Sequence, residues 1–177
     1  MNIREALSEE HSKAQCKKIV DYIGDDKKKF AELMKAFFAG EYRITQRAAW
    51  PMSYCVREHP ELIIPYFEKL FGMLQKPGVH NAVIRNITRL LQHVQIPRRY
   101  HGKIMTTCFD YIASETAPIA VKAFSLTVLN NLSNDYPDIH KELKLIIEER
   151  WDHETPAFKS RAKKILQQNA ERGRQNA

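Results

Sequence analysis

Cysteine, glycine and long apolar runs are all scarce in this chain of 177 residues. The longest unbroken apolar run covers residues 62–67 and contains Pro65, whereas a membrane-spanning helix needs about 20 apolar residues. The first residues are charged and include no apolar core of a secretory signal. We therefore expect neither a membrane-spanning nor a secreted protein.

The three cysteines, Cys16, Cys55 and Cys108, are odd in number and lie far apart in the sequence. No pair has the CxxC spacing that zinc sites and redox motifs share. A dispersed set of this kind is typical of buried, reduced thiols in a cytoplasmic protein. The sequence therefore predicts no disulfide framework, no metal and no bound cofactor.

Sequence patterns that carry catalysis are also missing. The chain contains no glycine-rich phosphate loop, no HExxH motif and no nucleophile paired with a base. One compact polar cluster, WDHE at residues 151–154, has adjacent side chains rather than the spacing of helix-borne metal ligands. We expect these polar groups to cap the following helix rather than to bind a metal or transfer protons. The sequence thus favours a protein that is not an enzyme.

Residues 79–95 show the clearest helical pattern in the chain. Their apolar residues recur at i, i+1, i+4, i+7, i+8 and i+11, which places them on one stripe of an α-helix. Alternation with a period of two, which would indicate strands, is scarce, so the sequence predicts an all-α protein. The apolar stripe comprises Val83, Ile84, Ile87, Leu90, Leu91 and Val94.

Similar helical units precede and follow this segment. Proline opens the first helix of three units, at Pro60, Pro97 and Pro137. Two helices repeated at intervals of 37 or 38 residues indicate an α-solenoid. Equivalent positions in the second helices are Ala49, Ile87, Phe124 and Ala162.

A proline-initiated first helix, a short turn, and a second helix with a cation before small or apolar residues resemble the HEAT-repeat family. The run RAAWPMSYCVREHPELIIPYFEKL is also similar to short bacterial HEAT-like proteins. The resemblance implies a right-handed α–α superhelix of about four helical pairs in residues 25–169. A capping helix in residues 1–24 would precede the pairs, and a frayed tail in residues 170–177 would follow them. Second helices of HEAT stacks line the concave face.

The local signals also predict where individual helices begin, end and bend. Asn2 is expected to cap a single first helix that runs to Ile23, and Asp25 or Asp26 to cap the next one. Pro51 lies inside a predicted helix and should bend it, because an interior proline lacks the N–H of one hydrogen bond. The last helix is expected to end near Gln168.

Positive charge is unevenly distributed in this chain of net charge +7. Residues 69–109 contain seven cations and neither Asp nor Glu, which predicts a basic surface. Arg47, Arg85 and Lys122 share one position of the repeat, and Arg89 follows Arg85 by one helical turn. The candidate anion-binding or partner-binding surface therefore comprises Arg47, Arg85, Arg89, Lys122, Arg98 and Arg99.

The family resemblance offers a structural role for the same cations. In HEAT repeats the repeat cation pairs with an acid of the turn, which ties one repeat to the next. Glu41 and Glu115 could serve Arg47 and Lys122, but Gly78 stands where the acid for Arg85 would be. Arg85 is therefore the cation most free for a ligand.

We interpret the sequence as a binding or scaffold module that presents a concave helical groove to a protein partner. The alternative is binding of the phosphate backbone of nucleic acid along the basic row, on a surface similar to that of helical-repeat DNA alkylation-repair proteins. No membrane association is expected. The sequence leaves the oligomeric state open.

Overall fold

The computed structural model describes residues 1–175 and is built of α-helices in that range, as the sequence predicts. Three short 3-10 helices, at Pro60–Tyr66, Arg98–Tyr100 and Trp151–His153, precede or follow them. The α-helices are α1 (Ile3–Glu9), α2 (Lys13–Ile23), α3 (Lys27–Phe38), α4 (Tyr42–Glu58), α5 (Phe67–Gln75), α6 (Asn81–Leu91), α7 (His101–Ala113), α8 (Ile119–Leu132), α9 (Ile139–Arg150) and α10 (Pro156–Gln175).

The helices form consecutive pairs in two compact units. Unit 1 (Met1–Gln95) contains three pairs, and its second helices pack side by side in the order α2, α4, α6. Unit 2 (Ile96–Ala177) contains two pairs, with α8 packed against both α7 and α10. In each unit the second helices of the pairs form one layer, which we call the second-helix layer. The first helices form the other layer.

The N-terminal segment is a helical pair, and the prediction of a single capping helix through Ile23 is wrong. The backbone becomes extended at Glu10, and the Ser12 side chain accepts a hydrogen bond from the Gln15 N–H at 3.1 Å, which starts α2 afresh. The Gln15 side chain donates to the Ala6 carbonyl at 2.8 Å and holds α2 against α1. Residues 1–175 thus form five helical pairs, one more than the sequence indicated.

Side-chain caps begin other helices as the sequence predicts. The Asn2 carboxamide accepts hydrogen bonds from the N–H groups of Arg4 and Glu5. Of the two candidate aspartates before α3, Asp26 is the cap, because its carboxylate accepts from the N–H groups of Lys28 and Lys29. These backbone hydrogen bonds lower the pKa of Asp26. Asp26 is therefore ionised at neutral pH and suits the positive end of the helix dipole.

Prolines shape the second and third pairs. Helix α4 continues through Pro51, and the bend expected there stays a prediction. The next segment departs from the α-helix that the sequence predicts to open at Pro60. Residues 60–66 form a 3-10 helix, and α5 begins only at Phe67. Pro65 lies in this segment, and its ring nitrogen cannot donate the hydrogen bond that an α-helix would need there.

Apolar side chains at helical spacing fill each unit. In α6, the predicted stripe buries Val83, Ile87, Leu90 and Leu91. A buried side chain of this size contributes about 1.5–3 kcal/mol relative to an exposed one. The core of unit 2 includes Leu126, Leu129, Leu143, Ile147 and Phe158, which come from α8, α9 and α10.

The last helix extends beyond its expected end near Gln168 and continues to Gln175. Of the frayed tail predicted for residues 170–177, the last two residues lie outside the described part of the chain. Within the described residues, none of the helices is both long enough and apolar enough to cross a bilayer.

Candidate binding surface

Arg47 of α4 is held by the backbone of the preceding helical pair. Its guanidinium donates to the carbonyls of Leu7 and Ser8, each at 2.9 Å. Both carbonyls belong to the last turn of α1, where carbonyl groups lack helical partners and a cation also suits the helix dipole. The prediction that Glu41 serves Arg47 is wrong, since Glu41 pairs with Arg4 instead. Arg47 is thus engaged within unit 1.

Lys122 of α8 lies in a buried ion cluster. Its ammonium donates to the Glu154 carboxylate at 2.5 Å, and the side chains of the pair are only 6% and 4% exposed. Arg150 of α9 donates to the same carboxylate oxygen at 3.0 Å. The expected partner, Glu115, is exposed in the turn between α7 and α8. The acid that pairs with Lys122 instead comes from the turn of the next helical pair, between α9 and α10.

The pKa of Glu154 is lowered by this cluster. Burial alone would raise it, because a buried carboxylate loses hydration. Hydrogen bonds from Lys122 and Arg150, together with their charges, outweigh burial and hold the pKa below its ordinary value. Glu154 therefore remains ionised at neutral pH, and the cluster is a structural tie between α8, α9 and the turn before α10.

The WDHE cluster consequently has a different role from the one predicted. Glu154 belongs to the ion cluster, while Asp152 and His153 are exposed. The cap of α10 is Thr155, whose hydroxyl accepts from the Phe158 N–H at 3.4 Å. Among the described residues, no group of three His, Cys, Asp or Glu side chains is placed to hold a metal ion.

Arg85 and Arg89 remain at the surface of α6. Arg85 is exposed, and its side chain makes no hydrogen bond or ion pair with the described residues of unit 1. Arg89 is half-buried, and its charge acts on Cys16 of α2. The two arginines therefore belong to the exposed side of the second-helix layer of unit 1.

Arg98 and Arg99 belong to unit 2 and to its first helices. Both are exposed in the short 3-10 helix that leads into α7. The guanidinium carbon of Arg99 lies 4.8 Å from the centre of the Tyr100 ring, a cation–π contact. Of the six predicted surface cations, Arg85 and Arg89 thus lie together in the second-helix layer of unit 1, whereas Arg98 and Arg99 lie together in the layer of first helices of unit 2.

A pocket of about 210 Å³ lies between α2 and α4 of unit 1, and we call it the α2–α4 pocket. Helix α2 contributes residues at i, i+3, i+4, i+7 and i+8, and α4 contributes them at i, i+4, i+7 and i+8, so each helix turns one face to the pocket. The lining residues are Lys13, Cys16, Lys17, Val20, Asp21, Trp50, Tyr54, Arg57 and Glu58.

Aromatic rings line the α4 side of the pocket. The Trp50 ring is half-buried and meets the His11 ring edge to face, with ring centres 5.3 Å apart. The Arg57 guanidinium carbon lies 5.1 Å from the centre of the Tyr54 ring. The sequence analysis missed this site, although Trp50, Tyr54 and Arg57 at i, i+4 and i+7 share one helix face.

The ionisable groups of the pocket leave positive charge in excess. Lys17 and Asp21 neutralise each other through a 2.5 Å contact between exposed side chains. Of the remaining charged lining residues, Lys13 and Arg57 are cationic and Glu58 is acidic. Arg89 of α6 adds a further positive charge nearby. An acidic group would therefore be attracted to the rim.

The buried cysteines do not supply a nucleophile. Burial raises the pKa of the Cys16 thiol to about 11, although the charge of Arg89 acts in the opposite direction. Burial likewise raises the pKa of Cys55 and of Cys108 to about 12. All three side chains are free thiols, and they remain protonated at neutral pH.

Helical pairs whose second helices pack side by side define an α-helical repeat protein. A family model described as a HEAT repeat domain matches residues 3–169, which include the N-terminal pair. The chain therefore belongs to the HEAT repeat family, as the sequence analysis predicted. No curated protein and no solved structure gave a significant match. HEAT repeats generally mediate protein interaction or scaffolding.

Proposed function

We propose that this chain is a non-enzymatic binding module whose partner is a protein, and that the α2–α4 pocket receives an apolar or aromatic side chain of that partner. The observation that carries the proposal is the pocket itself. It is concave, it lies on the exposed side of the second-helix layer of unit 1, and it is lined by Trp50 and Tyr54. Tryptophan, tyrosine and arginine are the residues that most often dominate binding energy at protein interfaces.

The size and the lining of the pocket favour one anchoring side chain. A volume of about 210 Å³ is below the usual range of pockets for small molecules, roughly 300–1,000 Å³. Cys16 and Val20 provide an apolar floor, and the rings of α4 provide a wall. A single large apolar side chain would displace water from such a site and bury apolar surface on both partners.

The rim of the pocket indicates the charge of the partner. Lys13, Arg57 and Arg89 leave an excess of positive charge around the apolar floor. The partner segment is therefore expected to carry acidic residues beside its anchor, which would speed association and orient the segment.

A photocrosslinking experiment tests this proposal with a matched control on the same helix. Benzoylphenylalanine replaces Tyr54 in one variant and Tyr42 in another, since both tyrosines lie on α4 and Tyr42 is half exposed away from the pocket. After irradiation in cell extract, the Tyr54 variant should give a specific protein adduct that the Tyr42 variant lacks. Purified partner should then bind the Tyr54→Ala variant about tenfold more weakly than the wild type. Identical adducts from both positions would contradict the proposal.

Nucleic-acid binding is a second candidate, favoured by one specific observation. Arg85 is exposed with no side-chain partner among the described residues of unit 1, and Arg89 lies one turn further along α6. Two cations on one helix face suit a phosphate backbone. However, Arg47 and Lys122 are held by protein groups, which shortens the predicted basic row.

Fluorescence anisotropy with labelled duplex DNA and single-stranded RNA separates the two candidates. The wild type is compared with an Arg85→Glu, Arg89→Glu variant at several salt concentrations. Phosphate binding predicts micromolar affinity that falls steeply with salt and is lost in the variant. The absence of binding at low salt would remove this candidate and leave protein binding.

A further inference from the structure

A second concave site lies on the first helices of unit 2, between α7, α9 and the loop that joins α8 to α9. We call it the α7–α9 groove. Its volume is about 760 Å³, and it is open to solvent. Helix α7 contributes positions 102, 105, 106, 109 and 110, which share one helix face. The groove is large enough for several side chains of a bound segment.

Among the side chains that line the groove, all those that carry a charge at neutral pH are acids. Asp110 comes from α7, Asp135 and Asp138 from the loop, and Glu142 from α9, and all four are exposed. The nearest ion pair is Asp138 with Lys141 at 3.7 Å, and both side chains are at least 85% exposed, so it contributes little. Four carboxylates therefore line the groove of a chain whose net charge is +7.

Apolar surface lies between these carboxylates. Met105 and Phe109 of α7 and Ile139 of α9 line the groove, and the first two are partly exposed. Leu145 lies three residues after Glu142 on α9 and is 66% exposed, so it extends the apolar surface along the same helix face. The groove thus offers apolar contact flanked by negative charge.

We propose that the α7–α9 groove docks a basic segment of a partner protein, in which an apolar anchor is flanked by lysine or arginine. Cations of the segment offset the mutual repulsion of the four carboxylates, and the anchor covers the apolar floor. The site belongs to unit 2 and to the layer of first helices. It shares no lining residue with the α2–α4 pocket.

The groove suits a partner segment better than it suits α10 of a second copy of this chain. The most cationic helix of unit 2 is α10, where Lys163 and Lys164 are exposed. Their exposed neighbours on α10, at positions 160, 167 and 168, are Ser or Gln. Helix α10 of a second copy would thus supply cations without the apolar anchor.

The test uses the full chain and a fluorescein-labelled, lysine-rich peptide with two leucines at its centre. Two further probes are the same peptide with glycines in place of the leucines and a glutamate-rich peptide with the leucines kept. We expect the lysine-rich peptide with leucines to bind best. Removal of the leucines should weaken binding about tenfold, because the apolar anchor is lost.

Two charge-matched variants show whether binding occurs in the groove. The Asp110→Asn, Glu142→Gln variant removes two groove carboxylates, and the Asp152→Asn, Glu171→Gln variant removes two exposed acids elsewhere in unit 2. All four positions are exposed, so both variants should fold, which circular dichroism verifies. The groove variant should bind about tenfold more weakly, and the control should change less than about twofold.

Several outcomes would overturn the proposal. Equal weakening in both variants would mean that the peptide responds only to net charge. Preference for the glutamate-rich probe, or no binding of the lysine-rich probe at low salt, would exclude a basic segment. A dimer of the wild type that dissociates in the groove variant alone would assign the groove to a second copy of this chain.

Discussion

Arg47 in unit 1 and Lys122 in unit 2 occupy the same position of the repeat and are held in different ways. Arg47 donates to two neutral carbonyls at the end of α1, in a partly exposed setting. Lys122 is buried, and its charge is matched by Glu154, which Arg150 also contacts. The first cation completes a helix end, and the second forms part of a buried charge cluster.

The difference shows that the repeat specifies a cation at this position but not its partner. A guanidinium with several donors can satisfy two carbonyls at once, whereas an ammonium in the core requires an opposite charge. Arg85 shares the position and has neither kind of partner among the described residues of unit 1. The three sites should therefore contribute to stability in the order Lys122, Arg47, Arg85.

Replacement of Lys122 should have the largest effect. The Lys122→Met change leaves the buried Glu154 carboxylate with Arg150 as its one remaining cationic partner, and we expect a loss of about 3 kcal/mol in the free energy of unfolding. Urea unfolding of a Trp50→Phe background, in which Trp151 reports on unit 2, measures it. Lys141→Met, at an exposed position of α9, is the control and should cost less than about 0.5 kcal/mol. A similar small loss for Lys122→Met would contradict the buried cluster.

A paired substitution distinguishes charge from packing at the same site. Lys122→Met combined with Glu154→Leu removes both partners and leaves no acid buried beside an apolar side chain. The double variant should recover part of the stability lost by Lys122→Met alone. The single Glu154→Leu variant completes the comparison. If the loss of stability in the double variant equals the sum of the losses in the two single variants, Lys122 and Glu154 do not act as a pair.

Low pH should lower the free energy of unfolding of unit 2 through protonation of Glu154. The pKa of Glu154 in the folded chain is below its ordinary value, so its stabilisation is complete above about pH 4.5 and is lost as the pH falls through the lowered pKa. Urea unfolding between about pH 6 and pH 3 should show this loss in the wild type, and the Glu154→Gln variant should show a shallower dependence. Identical slopes for the two proteins would refute the lowered pKa.

Replacement of Arg47 should have a smaller effect than replacement of Lys122. Arg47→Met removes two charge-assisted hydrogen bonds from a partly exposed site, and we expect a loss of about 1.5 kcal/mol. A Trp151→Phe background, in which Trp50 reports on unit 1, allows the measurement. Arg43→Met, one turn earlier on α4 and exposed, is the matched control and should be nearly neutral. Equal effects of the two changes would mean that the carbonyl contacts add nothing.

Arg85 should contribute least to stability. Its side chain is exposed, so Arg85→Met is expected to change the free energy of unfolding by less than about 0.5 kcal/mol. The same Trp151→Phe background measures this change. A loss as large as that of Arg47→Met would indicate a structural role for Arg85 and weaken its candidacy for ligand binding.

The sequence predicted the features that depend on local chemistry. Caps such as Asn2 and Asp26, and the apolar stripe of α6, follow from neighbours within a few residues. The α-solenoid could be inferred from the repeat spacing, because that spacing is set by pairs of helices of similar length. The HEAT family was suggested by the resemblance of the units to that family's pattern. The break after α1 was missed, since the loose apolar pattern of residues 2–23 also fits a single helix.

The partners of the repeat cations were beyond the reach of sequence patterns. Arg47 binds backbone carbonyls, which every residue possesses, so no side chain marks the contact. Glu154 lies 32 residues after Lys122, in a cluster that suggested a cap. The α2–α4 pocket depends on the packing of two helices, which the pattern of either helix alone does not reveal.

The most direct test of the proposed binding surface follows Trp50 itself. A Trp151→Phe protein is titrated with the partner identified by crosslinking from Tyr54, and its fluorescence is recorded. If the partner anchors in the α2–α4 pocket, the emission of Trp50 should change and saturate, and Tyr54→Ala should weaken binding about tenfold. Unchanged Trp50 emission, with equal affinity for the Tyr54→Ala variant, would contradict the assignment of the pocket.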